Sequence, residues 1–153
     1  MKSLYSFIVK PKEERYDNIR QVGGSNLIIN TSIEDHRFIS KKAVVVSTPA
    51  AYATKINIGD ELYVHHNIFR RWYDQKGNER NSSTYFKDDL YFVSPEQIYM
   101  YNLKPHLDYC FVKPLKNQSV LENRKEQPNV GILKYSNKTL EALGITPGTL
   151  ITF

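Results

Sequence analysis

An all-β fold is the class this sequence predicts, and three observations predict it. Eleven Tyr and seven Phe accompany many Val and Ile among the 153 residues, a composition that suits strands. The apolar runs are short and are separated by turn residues, the pattern of a small barrel or sandwich. The one helix-compatible window of note is Asn137 to Leu143, where Ser136 or Asn137 would cap and Gly144 would stop a short turn.

The elements follow in order. Leu4 to Val9 reads as a strand stopped by Pro11, which has no amide hydrogen to give to a ladder. Lys12 to Gln21 is charged and shows no sustained periodicity. Gly23-Gly24-Ser25-Asn26 is a flexible turn-like segment, followed by the isolated aliphatic triplet Leu27-Ile28-Ile29 and the polar Asn30-Thr31-Ser32. Ala43 to Ser47 is a short β-branched run, read as a buried strand that Pro49 ends. Ile56 to Asp60 is a turn opening the strand Glu61 to Val64. Asp74 to Ser83 is a polar loop. Leu90 to Val93 and Ile98 to Tyr101 are strands, joined by the turn Ser94-Pro95-Glu96-Gln97.

The pattern then begins again. Phe111-Val112-Lys113-Pro114 echoes Phe7 to Pro11, Val130 to Lys134 stands where Ala43 to Ser47 stands, and Ile145 to Phe153 parallels Ile56 to Val64. In that parallel Ile145 falls on Ile56, Gly148 on Gly59 and Phe153 on Val64. Three matches in one order indicate a duplicated unit. The expected division is residues 1–104 as a whole unit and 105–153 as a second, truncated one. A truncated unit would need a hairpin, a strand from elsewhere, or an exposed edge.

Composition excludes several function classes. No apolar run approaches the ~20 residues of a membrane helix, and the N-terminus lacks the apolar stretch of a secretory signal. Cys110 is the single cysteine, so neither an intrachain disulfide nor a four-cysteine zinc site is possible. Ahead of a strand-like run, it reads as a small buried hydrophobe. These facts predict a soluble, cytoplasmic protein. The adjacent His65 and His66 would point to opposite faces of a strand, and adding His36 and His106 gives no ligand spacing, so no metal is expected. Asp88-Asp89 reads as a charged turn. There is no phosphate-binding glycine loop and no nucleophile elbow, and neither a catalytic residue nor a cofactor is expected. The formal charge of +5 favours weak attraction to nucleic acid. Within Phe69 to Tyr73, Arg70 and Arg71 could meet phosphate while Trp72 stacks on a base; alternatively this is a strand with solvated arginines.

Taken in order, these segments resemble the GroES-type co-chaperonins, the chaperonin-10 family. The residues that carry the likeness are Phe7 to Pro11, the glycine-led Gly23 to Ile29, Lys41-Lys42-Ala43-Val44-Val45-Val46, Ile58-Gly59-Asp60-Glu61-Leu62-Tyr63-Val64, and the closing Asp89 to Ile98. The likeness covers Tyr5 to Tyr101 as a whole unit and Tyr109 to Phe153 in part. Three departures stand out: a roof hairpin reduced to Thr48 to Lys55, an added aromatic-basic stretch from Ile68 to Arg80, and the tandem second copy. Co-chaperonins encoded by bacteriophages vary in such places, so the likeness extends to a phage version acting in the host cytoplasm. The resemblance implies a GroES-like irregular β-barrel and a truncated repeat. It also implies a homo-oligomer that caps a GroEL-type chaperonin and assists folding without chemistry of its own. Gly23 and Gly24 would then keep a loop mobile while Leu27, Ile28 and Ile29 contact the chaperonin. The alternatives are that the triplet is an ordinary barrel strand, or that the protein is a nucleic-acid-binding, virion-associated or assembly barrel.

Overall fold

A computed structural model describes residues 2–29, 31–33, 35–116 and 126–153; Asn30 of the polar stretch lies outside them. The chain is mostly β and divides into two compact units, Met1–Asn102 and Leu103–Phe153.

In the first unit the strands are β1 (Phe7–Pro11), β2 (Ile19–Val22), β3 (Ser25–Ile28), β4 (Lys42–Ser47), β5 (Glu61–Val64), β6 (Arg71–Tyr73), β7 (Glu79–Asn81), β8 (Tyr85–Lys87), β9 (Leu90–Val93) and β10 (Ile98–Tyr101). The main sheet of this unit runs β10-β5-β4-β1-β9-β8 with antiparallel neighbours. No ladder joins β8 to β10 among the described residues, so the sheet is open where a closed barrel was expected. β1 lies at its centre, and the run Phe7-Ile8-Val9 is buried throughout, as a strand covered on both sides requires. Pro11 takes the last place of the ladder, where a missing amide hydrogen matters least. β4, β5, β9 and β10 bury every second residue, and Val45, Leu62, Val64, Tyr91, Val93 and Ile98 form one cluster with Phe7 and Val9. Phe69 meets Tyr91 edge-on at 4.9 Å inside it.

The Asp60 carboxylate holds the turn before β5. It accepts from the Asn57 amide at 2.8 Å and from Asn102 Nδ2 at 2.8 Å. Gly59 there has φ +91°, a conformation glycine adopts freely.

The second unit contains β11 (Lys104–Pro105), β12 (Phe111–Lys116), β13 (Glu126–Tyr135), β14 (Leu150–Thr152) and the short helix α1 (Lys138–Ala142). The helix forms where the sequence placed it. Asn137 Oδ1 accepts from the Leu140 amide at 2.8 Å, and Gly144 follows at φ +78°.

The second sheet, β12-β13-β14, repeats β1-β4-β5 hydrogen bond by hydrogen bond. Val9↔Val45, Lys10↔Val44 and Pro11↔Ala43 correspond to Val112↔Leu133, Lys113↔Ile132 and Pro114↔Gly131, and each ladder slips immediately before, at Ile8 and at Phe111. Ala43↔Leu62 corresponds to Gly131↔Ile151. The Gly59 amide donates to the Val45 carbonyl at 2.9 Å, and the Gly148 amide to the Leu133 carbonyl at 2.8 Å. The proline and glycine alignments between the sequence halves thus recur in the backbone pairing, while the middle strand is offset by one residue, Val130 to Lys134 falling on Lys42 to Val46 rather than on Ala43 to Ser47.

One position differs in size. A Cβ on Gly131 would lie 2.4 Å from Val112 Cγ1 and 2.8 Å from the Lys113 carbonyl oxygen, whereas its counterpart Ala43 has one. Gly131→Ala is therefore expected to destabilise the second unit by ~1–3 kcal/mol. Urea unfolding followed by hydrogen exchange at β12 and β13 checks this, with β1 and β4 as the unaffected reference.

Candidate functional site: an exposed hairpin

Between β1 and β4 the chain leaves the main sheet and folds back on itself. β2 and β3 form a separate two-stranded sheet with the pairs Ile19↔Ile28, Arg20↔Leu27, Gln21↔Asn26 and Val22↔Ser25. The Ile29 amide continues the ladder by donating to the Asn18 carbonyl at 2.9 Å. The connection is the dipeptide Gly23-Gly24, at φ +56° and +83°, which is the backbone a tight two-residue hairpin demands. A Cβ at either glycine would meet nothing within 4 Å, so conformation alone selects glycine there.

The root of the excursion is fixed. Tyr16 bridges to Ile39 and is buried, its hydroxyl donating to the Ile33 carbonyl at 2.6 Å and accepting from the Arg71 amide at 2.9 Å. Arg15 donates to the Phe69 carbonyl and to Asn81 Oδ1, both at 3.0 Å. The Asp17 amide donates to the Phe38 carbonyl at 2.8 Å, and the Ser40 amide to the Arg15 carbonyl at 2.9 Å. Beyond these ties every residue of β2 and β3 is exposed. Leu27, Ile28 and Ile29 are 55, 60 and 42% exposed.

Strand alternation divides this apolar surface between two faces. Val22, Leu27 and Ile29 share one with Arg20, and Ile19 and Ile28 share the other. Ile19, Gln21 and Asn26 also line a cleft of about 550 Å³ whose far wall includes Lys41, Lys42 and Tyr63. The sequence singled out Gly23, Gly24 and the triplet but missed Ile19, Val22 and the Tyr16 anchor. The signal that could have found the first strand was the Gly-Gly pair itself, a two-residue hairpin connection with Val22 before it and Leu27-Ile28 after it.

The other predicted contact lies elsewhere. Arg71 and Trp72 belong to β6, which pairs with β7 around the Asp74 turn, so the expected polar loop contains a strand. Asp74 Oδ1 accepts from the Lys76 and Asn78 amides at 2.9 Å, and Arg80 is 3.0 Å from Oδ2; these donors, the Asn78 amide first, hold its carboxyl below the ordinary range. Arg71 Nη1 is 2.8 Å from Glu79 Oε1, and its guanidinium lies 4.7 Å from the Tyr16 ring, so its charge is engaged within the fold. Arg70 is half-buried, and Trp72 and Tyr73 are exposed.

Two sequence readings need correction. Cys110 is exposed, because no strand flanks that edge of β12 among the described residues. His65 and His66 do not alternate across a strand, because β5 ends at Val64 and His65 caps a 3-10 turn over His66–Ile68, its Nδ1 accepting from the Asn67 amide at 3.1 Å. The two rings therefore stack at 4.3 Å, with His36 5.5 Å from His66. Among the described residues no group of three or more His, Cys, Asp or Glu is arranged to hold a metal ion, and no helix is long and apolar enough to cross a membrane.

Comparison with known proteins finds no matching family model, no matching curated protein and no matching solved structure.

Two predictions follow from this geometry. Replacing Gly23 and Gly24 together by Val should open the hairpin, with loss of the cross-strand Ile19–Ile28 nuclear Overhauser contact, while the main sheet keeps its melting temperature. Burial, then the charges of His65, His36, Lys41 and Arg70, hold His66 below its ordinary 6.5. The unfolded chain then binds the proton more readily, so this contribution to stability is lost as pH falls from about 6.5 through the lower folded value. Proton NMR should place the His66 midpoint below 6.5, and His36→Gln should raise it.

Proposed function

We propose that the protein is a co-chaperonin, that its first unit is a GroES-like fold, and that the β2–β3 hairpin is the element that docks on a chaperonin. The observation that carries this reading is the display of Leu27, Ile28 and Ile29 to solvent on a hairpin outside the main sheet. Exposed aliphatic side chains at the end of a fixed root are the chemistry of a hydrophobic docking element. The succession of motifs from Phe7 to Ile98 supports the same assignment.

The docking contact is the face bearing Val22, Leu27 and Ile29. Each aliphatic side chain buried against a partner groove contributes ~1.5–3 kcal/mol. One hairpin binds weakly, and a homo-oligomer presenting several gains affinity through effective concentration. The protein itself carries out no reaction, and ATP hydrolysis belongs to the chaperonin. Arg71, paired with Glu79 and packed on Tyr16, supports this reading over phosphate contact.

Changing Leu27, Ile28 and Ile29 together to Ser should abolish binding to a GroEL-type chaperonin with ATP while leaving the melting temperature nearly unchanged. Singly, Leu27→Ser and Ile29→Ser should each weaken binding by about tenfold or more, and Ile28→Ser by less. Analytical ultracentrifugation with and without chaperonin reads both binding and assembly size. Undiminished binding by the triple variant would overturn the assignment.

A further inference from the structure

Two parts of the first unit meet at a group of imidazoles. The limb that returns from β3 to β4 brings His36, and the turn that follows β5 brings His65 and His66. The His66 ring stacks on His65 at 4.3 Å and lies 5.5 Å from His36, while Tyr99 of β10 meets His65 edge-on at 6.0 Å. His65 and His66 are half-buried and His36 is exposed. The charged groups that act on His66 are His65, His36, Lys41 and Arg70, all of them basic. Asp35, beside His36, has its carboxylate taken by Arg37, whose Nε is 3.0 Å from Oδ1 and whose Nη2 is 2.7 Å from Oδ2. At neutral pH Lys41 and Arg70 carry the charge of the group, and in acid the imidazolium forms of His36, His65 and His66 add to it.

The same limb and turn hold the root of the β2–β3 hairpin. On the limb, Ile39 bridges to Tyr16, the Asp17 amide donates to the Phe38 carbonyl at 2.8 Å, and the Phe38 amide donates to the Asp35 carbonyl at 3.1 Å. On the turn, the Phe69 carbonyl accepts from Arg15 at 3.0 Å, and His65 Nδ1 caps the turn by accepting from the Asn67 amide at 3.1 Å. A proton on Nδ1 removes that acceptor. Positive charges on His36 and His66 repel each other across the joint, with Lys41 and Arg70 adding to the repulsion. The limb gives way before the turn does, because Ile68 and Phe69 anchor the turn in the core at 0% exposure. We infer that His36, His65 and His66 form an acid-sensitive latch that holds the returning limb against the turn after β5, and that their protonation frees the hairpin root. The latch acts on the hairpin that the co-chaperonin reading uses, but its test is made on the free protein, so either can fail without the other.

Amide protection factors of the full chain, which remove the intrinsic pH dependence of exchange, read the latch directly. From about pH 7.5 to about pH 5, protection at the Asp17, Phe38 and Ser40 amides should fall about tenfold, while Val45 and Phe92 in the main sheet keep theirs. His36→Gln and His66→Gln should each remove most of that fall, and about 0.5 M NaCl should reduce it in the unaltered protein. His36 is exposed, so its variant keeps the test readable if His66→Gln does not fold. Unchanged protection at Asp17, Phe38 and Ser40 across this range would overturn the latch. So would an equal loss at Val45 and Phe92, which is general acid unfolding, or a fall that persists in full in His36→Gln.

Discussion

Backbone pairing between β1, β4 and β5 is the constraint on which the rest of the molecule depends. Once Val9 faces Val45 and Ala43 faces Leu62, side-chain alternation sends Val9, Val45, Leu62 and Val64 into one cluster, and a register slip of one residue would turn that set to solvent. The register is held at one end by Pro11 and at the other by the Gly59-Asp60 turn. The second unit reproduces it with Pro114 and Gly148, although Thr149 replaces Asp60 and satisfies the turn differently, its hydroxyl donating to the Thr146 carbonyl at 2.7 Å. The proline and the glycine are common to both copies, while the length of chain between them and the side chain at the turn differ.

What covers that ladder decides how much of each unit is core. In the first unit β9 and β10 supply Tyr91, Val93 and Ile98, and the 3-10 turn after β5 adds Ile68 and Phe69, all fully buried. In the second, Leu133 is the apolar residue that reaches full burial among those described. Size compounds the difference, since a unit of this length buries a smaller share of its surface than a larger one.

Legibility in the sequence followed burial. Glu61 to Val64, Leu90 to Val93 and Ile98 to Tyr101 were readable to the residue, because each alternates against a single core. Asn137 and Gly144 bracketed the helix for local reasons that need no tertiary contact. β2 and β7 were not readable, because neither buries a face: Ile19 to Val22 and Glu79 to Asn81 are exposed throughout, and a hairpin open to water on both sides leaves no hydrophobic period. β13 extends from Glu126 to Tyr135, twice the run that its apolar residues mark, because Gln127 to Asn129 are polar and include Pro128. Cys110 was misread for the converse reason. Its neighbours predict a strand, but exposure at a strand edge depends on a neighbouring strand, which local sequence does not encode.

Order in the candidate site changes its energetics as a docking element. Fixing the backbone of an unstructured residue costs ~1–2 kcal/mol, so ordering the stretch from Gly23 to Ile29 on a partner would cost on the order of 10 kcal/mol. Burying three aliphatic side chains returns ~5–9 kcal/mol, which such a cost would cancel. A hairpin already closed by Gly23-Gly24 and rooted through Tyr16 and Arg15 carries most of that ordering in the free protein. The same order imposes a restriction. With its ladder intact the hairpin offers Val22, Leu27 and Ile29 on one face and Ile19 and Ile28 on the other, so a groove that reads one face leaves the second in water. Engaging all three residues of the triplet on one surface would require breaking the Arg20↔Leu27 and Ile19↔Ile28 pairs and giving back the ordering advantage. The hairpin thus favours recognition by one face, in which the Gly-Gly turn sets which aliphatic residues act together.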